Sequence, residues 1–249
     1  MTQALALLVG LRKVDATKYL GWTGENGCQG CELDVDNIER ILAPSNYDVT
    51  ILKTEKATRR NVIKELRAAA DKLESGDILV FYYSGHGGQQ PDQNGDELDG
   101  QDETLVLYDG ELRDDALNKV WLSIKPGVRV VMLSDSCNSG TNYKGFKGFK
   151  PKATPIAPLD AKAAGEMRAM MIHMGGCRDG KTSDGYVGGG LFTMSLCNAW
   201  QGGKFKGNSR ALYEKVAAMV SAETPDQQPA YNEYGAVSAQ FRKQKPFAR

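Results

Sequence analysis

The sequence predicts an α/β fold with a mostly parallel central sheet of about six strands, flanked by helices on both faces, and three observations carry that prediction. Short runs rich in β-branched and aromatic residues alternate along the chain with longer amphipathic stretches, the order that βαβ units require. One such run, DILVFYYSG, is bounded by Gly76 and Gly85 and reads as a buried strand. Just past it stands His86, and just past a second run, GVRVVMLSDSC, stands Cys137. Both therefore fall at carboxyl ends of strands, the edge at which open α/β sheets build their sites.

Taken in order, ALALLVG is the first strand. After a Gly-rich loop, DVDNIERILA places Val35, Ile38, Ile41 and Leu42 at helical spacing. YDVTILK then reads as a strand and TRRNVIKELRAAADKL as an amphipathic helix, which delivers the chain to the strand before His86. An acidic, Gly-containing loop leads to a helix in LRDDALNKVWLSI and a strand in GVRVVMLSDSC. Asn138 to Glu166 is rich in Gly, Lys and Pro without a clear period and reads as a long loop. Beyond it, MRAMMIHMGGC suits a strand, GLFTMSLCNAW and ALYEKVAAMVSAE suit helices, and PAYNEYGAVSAQF supplies a last strand. No internal repeat is present.

The chain has 249 residues and no linker-like shift in composition, so one domain is expected. With 31 basic and 31 acidic residues, its overall charge draws it neither to nucleic acid nor to an anionic membrane. No apolar run is long enough for a membrane span, and MTQALALLVG lacks the basic start and small-residue cleavage site of a secretory signal. A cytoplasmic protein is expected. Five cysteines, Cys28, Cys31, Cys137, Cys177 and Cys197, are few and odd in number, which fits a reducing compartment and leaves thiols for chemistry.

A thiolate attacks an amide carbonyl when a neighbouring imidazole generates or stabilises it, and Cys137 and His86 are the natural pair. Glycines on either side of His86 admit substrate backbone, and N–H groups near Gly87 and Cys137 are placed to hold a developing oxyanion. Taken singly, a cysteine at such a position is more often a small buried residue and a lone histidine more often a satisfied packing residue. Together they form a constellation for acyl transfer.

YYSGHGG and SDSCNSG resemble the dyad motifs of the caspase-like cysteine peptidases (peptidase family C14), and are most similar to those of the metacaspases, including the bacterial orthocaspases. ALLVGL, GCELDVDNIERIL, DGQDETLVLYD, GCRDGKTSDGYVGGGLFT and QQPAY resemble that family in the same order, so the likeness covers essentially the whole chain. It implies a caspase-hemoglobinase fold in one domain, with residues 1–143 resembling a large subunit, 144–167 a linker and 168–249 a small subunit. It implies Cys137 as nucleophile, His86 as general acid and base, and the Gly87 and Cys137 amides as oxyanion hole. The family's two acidic residues in the pocket for the residue before the cleaved bond match Asp34 and Asp135. Two carboxylates there select a cation, and a guanidinium can form paired charge-assisted bonds, so cleavage after Arg, then Lys, is expected. Asp34 has an alternative reading as a helix N-cap. Asp179 and Ser183, in the GCRDGKTSDG stretch that borders the family's cleft, are further substrate-binding candidates. Asn138 departs from the family, which often has His there.

PDQNGDELDGQDE is dense in carboxylates, but Glu97 stands where an EF-hand needs Gly. The resemblance implies a different calcium site at Asp102, Asp114 and Asp115, and calcium as a candidate activator. A further carboxylate expected soon after the nucleophile has no match, since Asn138 to Lys150 contains no Asp or Glu. Asp114 and Asp115 equally suit a helix start. The loop NYKGFKGFKPK, with Lys144, Lys147, Lys150 and Lys152, reads as a self-cleavage substrate rather than a nucleic-acid contact. Arg168 abuts a strand and is expected to be protected. Cys28 and Cys31 lack further ligands for zinc, Cys177 and Cys197 read as core residues, and His173 as packing.

The expected partners are a protein or peptide with Arg or Lys before the scissile bond and a regulatory or activating protein, with no nucleic acid or membrane. A monomer is expected. The short start before ALLVGL leads to the expectation that no recruiting segment precedes the domain. Two other readings stand beside the protease: a catalytically weak caspase-like binding module, and an Asp-specific caspase. The last lacks a basic residue in SDSC or CELD to meet an acidic side chain.

Overall fold

The computed structural model describes residues 2–91, 101–136, 159, 161–176, 188–225 and 227–249. In chain order its elements are β1 (Ala4–Gly10), α1 (Cys31–Leu42), β2 (Asp48–Lys53), α2 (Arg59–Lys72), β3 (Ile78–Ser84), β4 (Gly87–Pro91), β5 (Gln101–Leu107), β6 (Gly110–Arg113), α3 (Asp114–Ser123), β7 (Arg129–Asp135), α4 (Ala161–Glu166), β8 (Met170–Gly176), α5 (Leu191–Trp200), α6 (Ser209–Glu223), β9 (Ala230–Gly235) and α7 (Ala239–Lys243).

Six strands form the central sheet in the order β2-β1-β3-β7-β8-β9. All neighbours pair in parallel except β9, which runs antiparallel to β8. The strands are central because their sequences are apolar on both faces: every residue of β3 and of β7 is buried. Period-2 alternation splits them between two cores. Leu79, Phe81 and Tyr83 join Leu66 of α2 and Trp121 of α3 on one face. Ile78, Val80 and Tyr82 join Ile38 of α1, Leu196 of α5 and Val216 of α6 on the other.

Helices α2, α6 and α7 start where their sequences provide side-chain caps. Thr58 Oγ1 accepts from Asn61 N at α2, Asn208 Oδ1 from Ala211 N at α6, and Ser238 Oγ from Phe241 N at α7. At the end of β1, a Cβ on Gly10 would stand 2.5 Å from both the Cys31 carbonyl oxygen and Val35 Cγ2. The glycine lets α1 begin directly over the strand end. No described helix is long and apolar enough to cross a membrane.

Three features depart from the sequence reading. The span read as a long loop from 138 to 166, and with it the linker 144–167, ends in helix α4; Ala, Lys and Glu favour helix there despite the surrounding Gly and Pro. The acidic loop after His86 is flanked by a second, three-stranded antiparallel sheet, β4-β5-β6. Arg168 is exposed, not shielded. Its neighbours Met167 and Ala169 are buried, however, so the backbone there is anchored in the core.

Candidate active site

Strand register sets the site. Ser84, the last residue of β3, pairs with Asp135, the last of β7. Each chain then runs two residues further, to His86 on one side and Cys137 on the other. Cys137 itself lies outside the described residues, as do Cys177, Asp179, Ser183, Lys144, Lys147, Lys150 and Lys152. The preceding Ser136 is fully buried.

His86 is half-buried and held from several directions. Its Nε2 lies 2.9 Å from the Gly24 carbonyl oxygen. A carbonyl only accepts, so Nε2 carries the proton, and in the neutral ring Nδ1 is the basic nitrogen. The Trp22 ring lies against the imidazole, with centroids 5.0 Å apart and planes at 55°. Gly24, at φ +69°, supplies the left-handed turn that brings this loop to the ring edge. The His86 backbone is fixed as well: its carbonyl accepts from Val106 N at 3.1 Å and from the Tyr83 hydroxyl at 2.7 Å. A Cβ on Gly85 would meet that hydroxyl at 2.5 Å, which accounts for the glycine before His86.

The Val106 bond has a further effect. In an antiparallel ladder hydrogen-bonded and non-hydrogen-bonded pairs alternate. With Val106 N donating to His86 O, the next pair, Gly87 with Leu105, is non-hydrogen-bonded. The Gly87 N–H therefore faces away from β5.

Asp34 and Asp135 are brought together beneath this edge. Both are buried, at 0% and 1% exposure. Asp34 Oδ2 accepts from Ser84 Oγ at 2.7 Å and Oδ1 from Gly190 N at 2.8 Å. Asp135 Oδ2 accepts from Thr193 N at 3.0 Å and from Thr193 Oγ1 at 2.7 Å. The first turn of α5 thus holds both carboxylates. The N-cap of α1 is Gly30, and Asp34 sits a turn further in, so the N-cap reading of Asp34 is wrong. Its carboxylate turns toward β3 and α5.

The calcium candidates lie on adjoining elements, since β5 pairs with β6 and β6 leads directly into α3. Asp114 and Asp115 begin α3, where Asp114 Oδ1 accepts from Asp115 N at 2.9 Å. Asp102 lies on β5, 3.5 Å from Arg113 Nε. Among the described residues no group of three or more His, Cys, Asp or Glu side chains is arranged to hold a metal ion. His173 is packing: fully buried on β8, it meets Ser134 Oγ at 3.1 Å and Asn232 Nδ2 at 3.4 Å, and burial pushes its pKa down to about 3. Cys28 and Cys31 are buried, and burial raises the half-buried Cys197 to about 11.

Sequence reasoning missed Trp22, Gly24, Ser84, Gly190 and Thr193. Ser84 carried a signal, being a polar residue at the end of an apolar strand. The others act through loops and a helix start whose placement no local pattern specifies.

A six-stranded sheet of this order, with a histidine and a cysteine past adjacent central strands, defines the caspase-like class of cysteine peptidases. Residues 3–245 match the caspase domain of peptidase family C14, and the chain belongs to that family. Metacaspase-1 of Yarrowia lipolytica is 34% identical over 176 residues, which are 65% of this chain and 36% of that protein. Metacaspase-1 of Mycosarcoma maydis is 35% identical over 150 residues, 55% of this chain and 35% of that protein. The chain thus spans about a third of the length of these curated relatives. Protein GSU0716 from Geobacter sulfurreducens is similar in structure at a TM-score of 0.79 and 34% identity, over 99% of this chain and 98% of that one. Caspase-1 from Spodoptera frugiperda, at 15% identity and a TM-score of 0.60 over 98% of this chain and 92% of that one, shares the fold.

Proposed function

We propose that this chain is a cysteine endopeptidase that cleaves proteins or peptides after Arg, and less readily after Lys. The observation that carries the proposal is the Ser84–Asp135 pairing, which starts His86 and Cys137 from adjacent, aligned strand ends. The Cys137 thiolate attacks the scissile carbonyl carbon, forming a C–S bond and an oxyanion that the Gly87 and Cys137 N–H groups receive. His86 gives its Nδ1 proton to the leaving amine as the C–N bond breaks, leaving a thioester. Water, losing a proton to His86, then attacks the thioester; the C–S bond breaks, the thiolate returns beside protonated His86, and the acid product gives its remaining proton to solvent and leaves as a carboxylate.

Asp34 and Asp135 would meet the substrate cation. Both carboxylates are buried in this structure. The segment against Asp34 is glycine: a Cβ on Gly189 would stand 2.2 Å from Asp34 Oδ1. Matched peptides ending in Arg, Lys or Asp test the reading. Turnover of Arg peptides by wild type, lost in Cys137→Ala, supports it; preference for Asp peptides, or none at all, contradicts it.

Self-processing in the Lys-bearing linker is part of the same proposal. Calcium responsiveness through Asp102, Asp114 and Asp115 is a subsidiary one that rests on the sequence resemblance. EGTA lowering turnover in wild type but not in Asp102→Ala would support it, and calcium-independent turnover would remove it.

A further inference from the structure

The buried polar chain running from β3 through α5 to Asp135 extends the specificity site into the protein. The Tyr82 hydroxyl lies 2.7 Å from Thr193 Oγ1, and Thr193 Oγ1 donates to Asp135 Oδ2 at 2.7 Å. Tyr82 and Thr193 are both fully buried. Because the Thr193 hydroxyl gives its proton to the carboxylate, its oxygen is the acceptor in the bond with Tyr82, whose hydroxyl donates. Every member of this chain is thereby assigned a direction, ending on the anion. The Thr193 backbone N–H reaches the same oxygen at 3.0 Å, so two bonds from one residue fix the rotation of the Asp135 carboxyl group.

From this arrangement we infer that Thr193, backed by Tyr82, is a positioning residue for specificity: it sets the orientation in which Asp135 meets the substrate cation. The inference rests on the arginine reading of Asp135. A planar guanidinium binds a carboxylate well only when the two are aligned, whereas an ammonium is a point charge that tolerates rotation. Loosening Asp135 should therefore weaken Arg substrates more than Lys substrates. Thr193 does not touch substrate, and its effect falls on binding rather than on the acyl-transfer step.

The test compares wild type, Thr193→Val, Thr193→Ser and Tyr82→Phe on matched Arg and Lys peptides. Valine keeps the shape and the backbone N–H but removes the hydroxyl; serine keeps the hydroxyl. For Thr193→Val, KM for the Arg peptide is expected to rise about tenfold, the scale of one hydrogen bond to a charged group. Its kcat should fall by much less, the Arg-over-Lys preference should shrink, and Thr193→Ser should stay near wild type. Tyr82→Phe should move KM in the same direction by a smaller factor. An unchanged KM and preference in Thr193→Val, a loss in kcat alone, or Thr193→Ser behaving like Thr193→Val would each overturn the role of Thr193 while leaving the arginine reading in place. Failure of wild type itself to turn over any basic peptide would overturn both. If Thr193→Val does not fold, the serine and Tyr82→Phe variants decide by the same criteria.

Discussion

The Nε2 of His86 lies 2.9 Å from the carbonyl oxygen of Gly24, a residue in the loop between β1 and α1. That bond assigns the ring's proton to Nε2 and leaves Nδ1 to exchange protons with the nucleophile and the leaving group. Trp22, against the same ring, limits its rotation.

Trp22→Ala is therefore expected to lower kcat without a matching rise in KM. One aromatic contact of this kind contributes about 1 kcal/mol, or roughly a fivefold change in rate. Trp22→Phe should recover most of the loss. Steady-state kinetics on an Arg peptide check this.

Asp135→Ala leaves a substrate cation without one of its two carboxylates. Removing one member of a buried charge pair costs about 2–5 kcal/mol, so kcat/KM for Arg peptides should drop by about thirtyfold or more. Uncharged P1 side chains should lose much less. Retention of wild-type selectivity would disprove the pocket assignment.

Stability should fall on acidification through His173. Burial holds its folded pKa at about 3, below the ordinary 6.5, so the neutral form is favoured in the folded protein. Below about pH 6.5 the unfolded chain takes up a proton that the folded one does not, and the stabilisation present above that pH is progressively lost as pH falls toward 3. Between pH 7 and 5 this amounts to about 2 kcal/mol. Denaturant melts of wild type and His173→Asn should show the wild type losing more over that interval.

Cleavage in the Lys-bearing linker predicts two fragments in wild type and one intact chain in Cys137→Ala, read by gel and by intact mass. New termini after Lys144, Lys147, Lys150 or Lys152 fit the proposal. A cut at Arg168 is not expected, because Met167 and Ala169 on either side of it are buried.

The central sheet was legible because its inner strands are apolar on both faces and its helices carry apolar residues at helical spacing. His86 stood out for a physical reason: a polar ring between glycines just past a buried strand has been brought to an edge, not enclosed. The small sheet was not legible, since GGQQP and GELR are short and polar and take their form from pairing with QDETLVL. Thr193 looked like any polar residue near the start of an apolar helix; only the packing of α5 over β7 gives it Asp135 as a partner. Trp22 and Gly24 belong to a Gly-rich loop without periodicity, and only the folded chain brings that loop to His86. Asp34 shows the limit from the other side, since its position early in a helix is equally that of a cap until the turn of its carboxylate is known.

The most direct measurement is covalent labelling by matched peptidyl chloromethyl ketones ending in Arg or Asp, located by mass spectrometry. The account predicts a single adduct on Cys137 from the arginyl reagent, little from the aspartyl one, and strongly slowed labelling in His86→Ala. An arginyl adduct on another residue, equal labelling by both reagents, or labelling indifferent to His86 would contradict it.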